Sequence, residues 1–356
     1  PAKFFESYLS NRKQYVKFDN IKFDLLPITA GVPQGSILGP LLFIIYINDI
    51  AQASKMFELI MYADDSTLTA TLNSFNININ SDISDDINFE LTKITDWLNA
   101  NRLSLNVTKT KFMIFHQPRK KFKMPEIKMK NEPLEHVNTF NFLGITIDKQ
   151  LNWNAHIDKV ASKISRSLGI LNKLKNILPQ SAKIKIYNSL ILSHLNYGIL
   201  LWGYKSTKIQ KQQKKAVRII SCKKYNAHTS PLFKTLKLLK FEDIFTLSKL
   251  KFYHKYINKI LPGNLQNLPF QLNEDVHRYN TRQASSIHVP RYHHGYTKNC
   301  IRFDIPETIN RAPVNIREKL YTHSLTGLAN YVKNYCIEKY QEVCVNTNCY
   351  VCANNG

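Results

Sequence analysis

Two adjacent aspartates, Asp64 and Asp65, close the apolar run Phe57 to Ala63 and precede Ser66 to Leu72, which is rich in Thr and Leu. That order reads as strand, tight turn, strand, with the acids at the tip of a hairpin. Two carboxylates on a rigid turn suit an oxygen-ligated Mg²⁺ or Mn²⁺, which needs a few fixed acids and takes further oxygens from substrate phosphates. An isolated Asp-Asp turn is more often merely solvated. This pair follows Gly31-Val32-Pro33-Gln34-Gly35-Ser36-Ile37-Leu38-Gly39-Pro40-Leu41-Leu42-Phe43. Gly31 and Gly35 there let backbone come close to a substrate, and Pro40 suits the first turn of a following helix.

In this order the two blocks resemble the palm of reverse transcriptases, specifically those of LINE-type (non-LTR, jockey-like) retrotransposons. The Pro-Gln-Gly loop and its helix are similar to that family's dNTP-positioning motif, and Tyr62-Ala63-Asp64-Asp65 to its metal-binding motif. The resemblance implies that Asp64 and Asp65 bind the metal, two Mg²⁺ (or Mn²⁺) ions in the complete enzyme. It places Pro33, Gln34, Gly35, Tyr62 and Ala63 about the incoming nucleotide. Ser7 to Val16 resembles the helix and turn that lead into the loop, and Leu103-Ser104-Leu105-Asn106 with Lys109-Thr110-Lys111 resembles the next block. There Lys109 would protonate the leaving pyrophosphate; a solvated lysine at a strand start is the alternative. Phe142-Leu143-Gly144-Ile145-Thr146-Ile147-Asp148 alternates as a strand and resembles the hairpin that grips the primer end, with Phe142, Leu143 and Gly144 as its primer-grip residues, and an aromatic-His pair, Trp153 and His156, follows. Asn188 to Gly198, with Trp202-Gly203, resembles the thumb. The implied activity is RNA-directed DNA polymerisation: two-metal transfer of nucleotides from dNTPs onto a DNA primer along an RNA template.

The chain has 356 residues, 44% of them hydrophobic, enough for two or three packed units. Lys and Arg number 49 against 26 acids, a formal charge of +23, which points to a polyanionic partner. The longest apolar run, around Leu41 to Ile47, is too short to span a bilayer, so nucleic acid is preferred to a membrane. Six cysteines without a secretory leader imply reduced thiols in an intracellular chain, nuclear or cytoplasmic. Cys344, Cys349 and Cys352 could hold zinc with Cys336 or a histidine, but their spacing departs from regular zinc knuckles. Free tail thiols are the preferred reading.

Several elements follow from periodicity. Phe4 to Tyr15 reads as a helix ending in Arg12 and Lys13, and Val16 to Ile28 as a hairpin with Asp19 and Asp24 as turn residues. Leu41, Leu42, Ile45 and Ile50 should face a core. After an Asn/Ser-rich linker, Asn73 to Asn80, Ser81 or Asp82 can cap a helix that buries Ile83, Ile87, Leu91, Ile94 and Leu98. Asn101 to Phe115 reads as a turn and an alternating strand, and Arg119, Lys120, Lys121 and Lys123 as a phosphate-binding run. Further helices carry Ile157, Val160, Ile164, Leu168 and Leu171, then, beyond Pro179, Ile184, Tyr187, Leu190 and Ile191. Next, Lys208, Lys211, Lys215 and Arg218 share one helix face, opposite Ile209, Ala216 and Ile220, as a duplex-gripping helix requires. Thr229 to Pro262 continues helical. Beyond it, His277 to Arg282 and Ile301 to Pro313 resemble the region that follows the thumb in LINE-type elements. Arg278, Arg282, Arg291 and Lys298, interleaved with Tyr279, Tyr292 and Tyr296, could stack on and pair with nucleic acid.

The expected fold is α+β: a partial right-hand palm over 1–150, with antiparallel sheet and helices, a helical thumb over 151–225, and a basic, mostly helical region over 226–356. In the resembled family a further aspartate, upstream of the Pro-Gln-Gly loop, bridges both ions. Asp19, Asp24 and Asp49 do not replace it. With Pro1 as first residue, the chain reads as a C-terminal fragment lacking that acid, the fingers and an upstream endonuclease domain. The alternative is an inactive, truncated copy that only binds nucleic acid.

Overall fold

The structure, a computed structural model, describes residues 2–33, 35–71, 83–116, 124–204, 207–276, 282–291 and 299–341. It is α+β and divides into two compact units, Pro1–Asn138 and Thr139–Gly356.

The first unit opens with helix α1 (Ala2–Leu9). The helix expected to reach Tyr15 stops at Leu9, because Asn11 turns left-handed (φ 55°) and the chain leaves as a strand. Arg12 therefore lies in a turn and Lys13 in β1 (Lys13–Gln14). The hairpin β2 (Lys17–Phe18) and β3 (Ile21–Lys22) turns at Asp19 (φ 50°), and β4 (Leu26–Pro27) returns antiparallel to β1. Helix α2 (Leu38–Ile47) runs into a 3₁₀ turn, Asn48–Gln52. Ile47 and Ile50 are buried and Leu42 is half-buried, but Leu41 and Ile45 are 54% and 64% exposed, against expectation. Every position of α2 except Gly39 and Pro40 carries a large apolar side chain, so its pattern cannot say which face is covered.

Strands β5 (Glu58–Tyr62) and β6 (Asp65–Thr69) pair antiparallel. Of the stripe expected on helix α3 (Ile83–Ala100), Ile87, Leu91, Ile94 and Leu98 are buried on Ile47, Ile50, Met56, Ile127 and Met129, and the Ile83 side chain lies outside the description. Most of the strand expected over 101–115 is absent. Leu103 and Leu105 are half-buried in chain without regular secondary structure, a 3₁₀ turn (Val107–Lys109) intervenes, and only β7 (Lys111–Phe112) pairs. Three short strands complete the unit: β8 (Lys128–Met129), β9 (Glu132–Pro133) and β10 (Glu135–His136), the last parallel to β7. The linker 73–80, the capping candidates Ser81 and Asp82, and the basic residues Arg119, Lys120, Lys121 and Lys123 lie outside the described residues.

The second unit begins with hairpin β11 (Thr139–Phe142) and β12 (Ile145–Asp148). Among the described residues, the strands form two-stranded ribbons. Buried Asp148 then makes the corner into α4 (Asn154–Lys173): its carboxylate accepts the N–H groups of Gln150, Asn152 and Trp153 at 3.1, 3.1 and 2.9 Å. All five apolar residues expected on α4 are buried. After Pro179 come α5 (Gln180–Tyr187), a π-helical turn (Asn188–Leu192), α6 (Ser193–Asn196) and α7 (Ile199–Trp202). Tyr187, Ile191 and Leu195 are buried, whereas Leu190, expected in the core, is 39% exposed. The wide π turn alters the angular step between residues and swings Leu190 outward.

Helix α8 (Thr207–Ile220) buries Ile209, Ala216 and Ile220 as its pattern requires. Its buried Gln213 joins three elements: the amide donates to the Tyr187 hydroxyl (2.8 Å) and the Leu239 carbonyl (3.0 Å), and its oxygen accepts the Phe241 N–H (2.9 Å). Helices α9 (Ser230–Thr235) and α10 (Phe241–Ile257) follow, then short α11 (Gly263–Gln266) and α12 (Asn273–Val276). Three longer helices end the described chain: α13 (Ile301–Arg311), α14 (Val314–Thr322) and α15 (Leu325–Glu338). Phe241, Ile244 and Phe245 of α10 belong to the α4–α8 core, and Leu250 and Tyr253 to a second core with α13, α14 and α15. Among the described residues no helix is long and apolar enough to cross a membrane.

The block Tyr197-Gly198 closes on the β11–β12 tip. The Tyr197 hydroxyl donates to the Leu143 carbonyl, and Gly198 (φ 62°) passes so near Ile145 that a Cβ would stand 2.4 Å from its Cδ1. Gly198→Ala should lower unfolding stability by about 1–2 kcal/mol or more, read as a fall in urea midpoint at constant slope; an unchanged midpoint would show that this approach is not tight. Nearby, buried His156 accepts the Thr146 N–H on Nδ1 at 3.2 Å. Burial first, then Lys159 and Lys163, hold His156 below its ordinary 6.5; burial, Lys163 and Arg166 do the same to His194. The unfolded chain takes up protons near 6.5 that the folded chain refuses, so this stability is complete above that pH and is lost as pH falls below it. His156→Gln should flatten the drop in urea midpoint between pH 7 and pH 5; a slope identical to the parent's would remove His156 from the account.

Candidate active site

The turn between β5 and β6 contains two residues, Ala63 and Asp64, because Tyr62 pairs directly with Asp65. Ala63 is left-handed (φ 52°), a conformation an L-residue resists. Alternation then sorts the hairpin into two faces. Leu59, Met61 and Leu68 turn to the α3 core, while Ile60, Tyr62 and Asp65 are exposed. Asp65 thus stands beside Tyr62 on the open face and Asp64 at the tip, both carboxylates reaching solvent. Adjacent exposed carboxylates fit a hard divalent cation that keeps water or phosphate in its other positions. Among the described residues, no group of three His, Cys, Asp or Glu side chains forms a metal-holding cluster.

The Pro-Gln-Gly loop is fastened at its two ends. Arg12 Nη2 donates to the Gly31 carbonyl, and the Ile28 N–H to the Arg12 carbonyl at 2.8 Å. At the other end the Tyr8 hydroxyl donates to Ser36 Oγ (2.7 Å), which accepts the Gly39 N–H (3.0 Å) in the first turn of α2. Gly31 and Gly35 are both left-handed, with φ 78° and 81°, which glycine alone takes without cost. Pro33 and Gly35 are exposed, and Gln34 lies outside the described residues. Tyr8, Arg12 and Ser36 had no assigned role in the sequence reading. A hydroxyl directly after Gln-Gly, placed to cap a helix, was the available signal.

Lys109 ends a turn organised by Asn106, whose side-chain oxygen accepts the Lys109 N–H (3.1 Å) and the Thr108 hydroxyl (2.7 Å). Its side chain is exposed. The neighbouring Lys111 is instead paired with Glu135 across the parallel β7–β10 ribbon, at 2.7 Å.

In the second unit, the strand expected over 142–148 is broken after Phe142, because Leu143 and Gly144 are both left-handed (φ 45° and 83°), as a two-residue hairpin turn of type I′ demands. Phe142 and Leu143 are half-buried and Gly144 is exposed. The stripe on α8 is present but unequal. Lys208 is paired with Asp158 of α4, Lys211 and Lys215 are exposed, and half-buried Arg218 donates through Nε to the Ala227 carbonyl at 2.7 Å. Cys336, considered as a zinc ligand, is half-buried; burial and then Asp243 push its thiol up to about 12, which disfavours the thiolate that zinc requires. Cys344, Cys349 and Cys352, and Arg278, Tyr279, Tyr292, Tyr296 and Lys298, lie outside the described residues.

Residues 2–147 match a family described as "Reverse transcriptase (RNA-dependent DNA polymerase)". Similar proteins in Drosophila melanogaster include the "Probable RNA-directed DNA polymerase from transposon X-element", 26% identical over 253 residues, covering 67% of this chain and 27% of that protein. The "RNA-directed DNA polymerase from mobile element jockey" is 26% identical over 252 residues, with the same two coverages of 67% and 27%. A third, the "Probable RNA-directed DNA polymerase from transposon BS", is 27% identical over 260 residues, covering 68% of this chain and 28% of the relative. The chain thus spans roughly a quarter of the length of these curated relatives. The two-carboxylate hairpin and the anchored glycine loop ahead of it both lie within residues 2–147, the stretch that matches the reverse transcriptase family, and about two thirds of the chain is similar to RNA-directed DNA polymerases of mobile elements.

Proposed function

We propose that this chain supplies part of the palm, the thumb and the following helical region of an RNA-directed DNA polymerase that extends a DNA 3′-hydroxyl along an RNA template. The observation that carries this reading is the Asp64-Asp65 pair, held on a two-residue turn with one acid at the tip and the other on the open face. In this reading Asp64 and Asp65 hold divalent cations, Mg²⁺ or Mn²⁺. When bound, these would neutralise charge on the transferring phosphoryl group and activate the attacking hydroxyl. Tyr62 and Ala63 flank the incoming nucleotide, and the loop Pro33, Gln34 and Gly35 positions it. The bare backbone at Gly35 permits the close approach, and Tyr8, Arg12 and Ser36 hold the loop's shape. Lys109 holds a proton at Nζ for the departing pyrophosphate. In the second unit the tip Phe142-Leu143-Gly144 steadies the primer end, and Lys208, Lys211, Lys215 and Arg218 face nucleic-acid phosphates.

Primer extension on an RNA template, in Mg²⁺ and then Mn²⁺, tests the assignment with this chain and with a longer protein that includes preceding sequence. Asp64→Asn should reduce extension by at least about a hundredfold, the scale of losing one electrostatic stabiliser of a transition state. Extension undiminished in that variant would remove Asp64 from the mechanism. If neither protein extends a primer while both bind nucleic acid, the chain is a binding-only copy. For the loop, Tyr8→Phe removes one hydrogen bond and should raise the KM for dNTP about two- to tenfold with kcat little changed. A fall in kcat at constant KM would refute the positioning role.

A further inference from the structure

Between α4 and α8 the second unit has a cleft of about 670 Å³. Lys211, Lys215 and Arg218 line one wall, and Lys175 and Lys223 come from the chain just beyond the ends of α4 and α8. Among the described lining residues there is no carboxylate. Three of these cations belong to the α8 stripe, but Lys175 and Lys223 are brought in by folding. Buried Lys183 joins the two helix ends, donating to the Lys175 carbonyl (3.0 Å) and to Cys222 Sγ (3.2 Å). The cleft therefore has fixed walls and a strongly positive interior.

Two features point to the occupant. Tyr225, also in the lining, is 90% exposed, so its ring is open to a ligand in the cleft. It sits on a turn closed by the Ala227 N–H to the Lys224 carbonyl (3.1 Å) and braced by Arg218 through Ala227. On the opposite wall Gly169 stands in the interior of α4, where glycine is disfavoured. No packing explains it: a Cβ there would meet nothing within 4 Å, and its φ is ordinary. Its effect is to leave open space at that point of the wall.

We propose that this cleft binds a single-stranded stretch of nucleic acid, with its phosphates along Lys211, Lys215 and Arg218 and one unpaired base stacked on Tyr225. The volume is that of a small-molecule site, too narrow for a duplex, and an exposed aromatic ring beside cations is how unpaired bases are held. The choice of nucleic acid as the polyanion rests on the polymerase reading; the test reads binding alone.

Fluorescence anisotropy of this chain with labelled single-stranded RNA and DNA, an abasic strand and a blunt duplex, over a range of salt, decides it. Gly169→Glu puts a carboxylate into open space and should weaken single-strand binding about tenfold or more without lowering Tm. Tyr225→Ala should weaken base-bearing strands at least about fivefold, spare the abasic strand and leave the salt slope unchanged. Lys215→Gln should reduce that slope by roughly 0.7. Single-strand binding unaffected by Gly169→Glu would overturn the proposal. So would equal losses for duplex and single strand, or for abasic and base-bearing strands with Tyr225→Ala. A chain that binds through the cleft yet, in the longer protein, never extends a primer would overturn the polymerase reading and leave the cleft intact.

Discussion

Between Tyr62 and Asp65 the chain reverses in two residues, and the reversal closes only because Ala63 accepts a left-handed φ of 52°. A residue with a Cβ resists that by about 1–2 kcal/mol, so the strands must hold it there. They do so through Leu59, Met61 and Leu68, which are anchored on the α3 core. Because side chains alternate along a strand, a slip of one residue would turn Met61 outward and Tyr62 and Asp65 toward that core. The position of the acids, the exposure of Tyr62 and the covering of the apolar face are therefore one constraint. The α3 stripe matters to the site for this reason, although none of its residues could do chemistry.

The second unit meets a similar problem differently. At the β11–β12 tip both turn residues are left-handed, one of them Gly144, and the strain falls on Leu143. The Tyr197 hydroxyl holds that residue's carbonyl, and Gly198 lets the helical block come close enough to do so. One strand later Asp148 takes three backbone N–H groups and sets the direction of α4. An acid this deeply engaged with backbone has a structural role, in contrast to the solvent-facing Asp64 and Asp65.

Amphipathic helices were the legible part of the sequence. In α3, α4 and α8 apolar residues recur on one face among polar ones, so Ile87, Ile164 and Ile209 could only be core. In α2 the surroundings are apolar too, and nothing distinguishes buried Ile47 from exposed Ile45. Leu190 was misplaced by a π turn, a backbone event with no signature in side-chain spacing. The acids and the glycine loop stood out in the sequence by their types and their order. Their supports were not: Tyr8 and Ser36 are 28 residues apart, and a hydroxyl pair leaves no periodic trace. The α8 stripe was likewise half visible. Its own four cations showed in the sequence, while the pairing of Lys208 with Asp158 and the arrival of Lys175 and Lys223 needed the fold.

The residues at the start of α10 are fastened from the far end of the described chain. Tyr340 accepts the Lys240 N–H at 2.9 Å, 100 residues away, donates a hydrogen bond from its hydroxyl to the Asp243 carboxylate, and lies under the Lys240 ammonium at 4.3 Å. Tyr340 also belongs to the same core as α4 and α8. A ribosome delivers the chain from its N-terminus, so α4 and α8 emerge well before the residue that completes their packing, and during that interval their apolar faces stay incompletely covered. The basic helices and the C-terminal helices consequently mature together, and a chain stopped before Tyr340 would carry the cations of α8 on a core that has not yet closed.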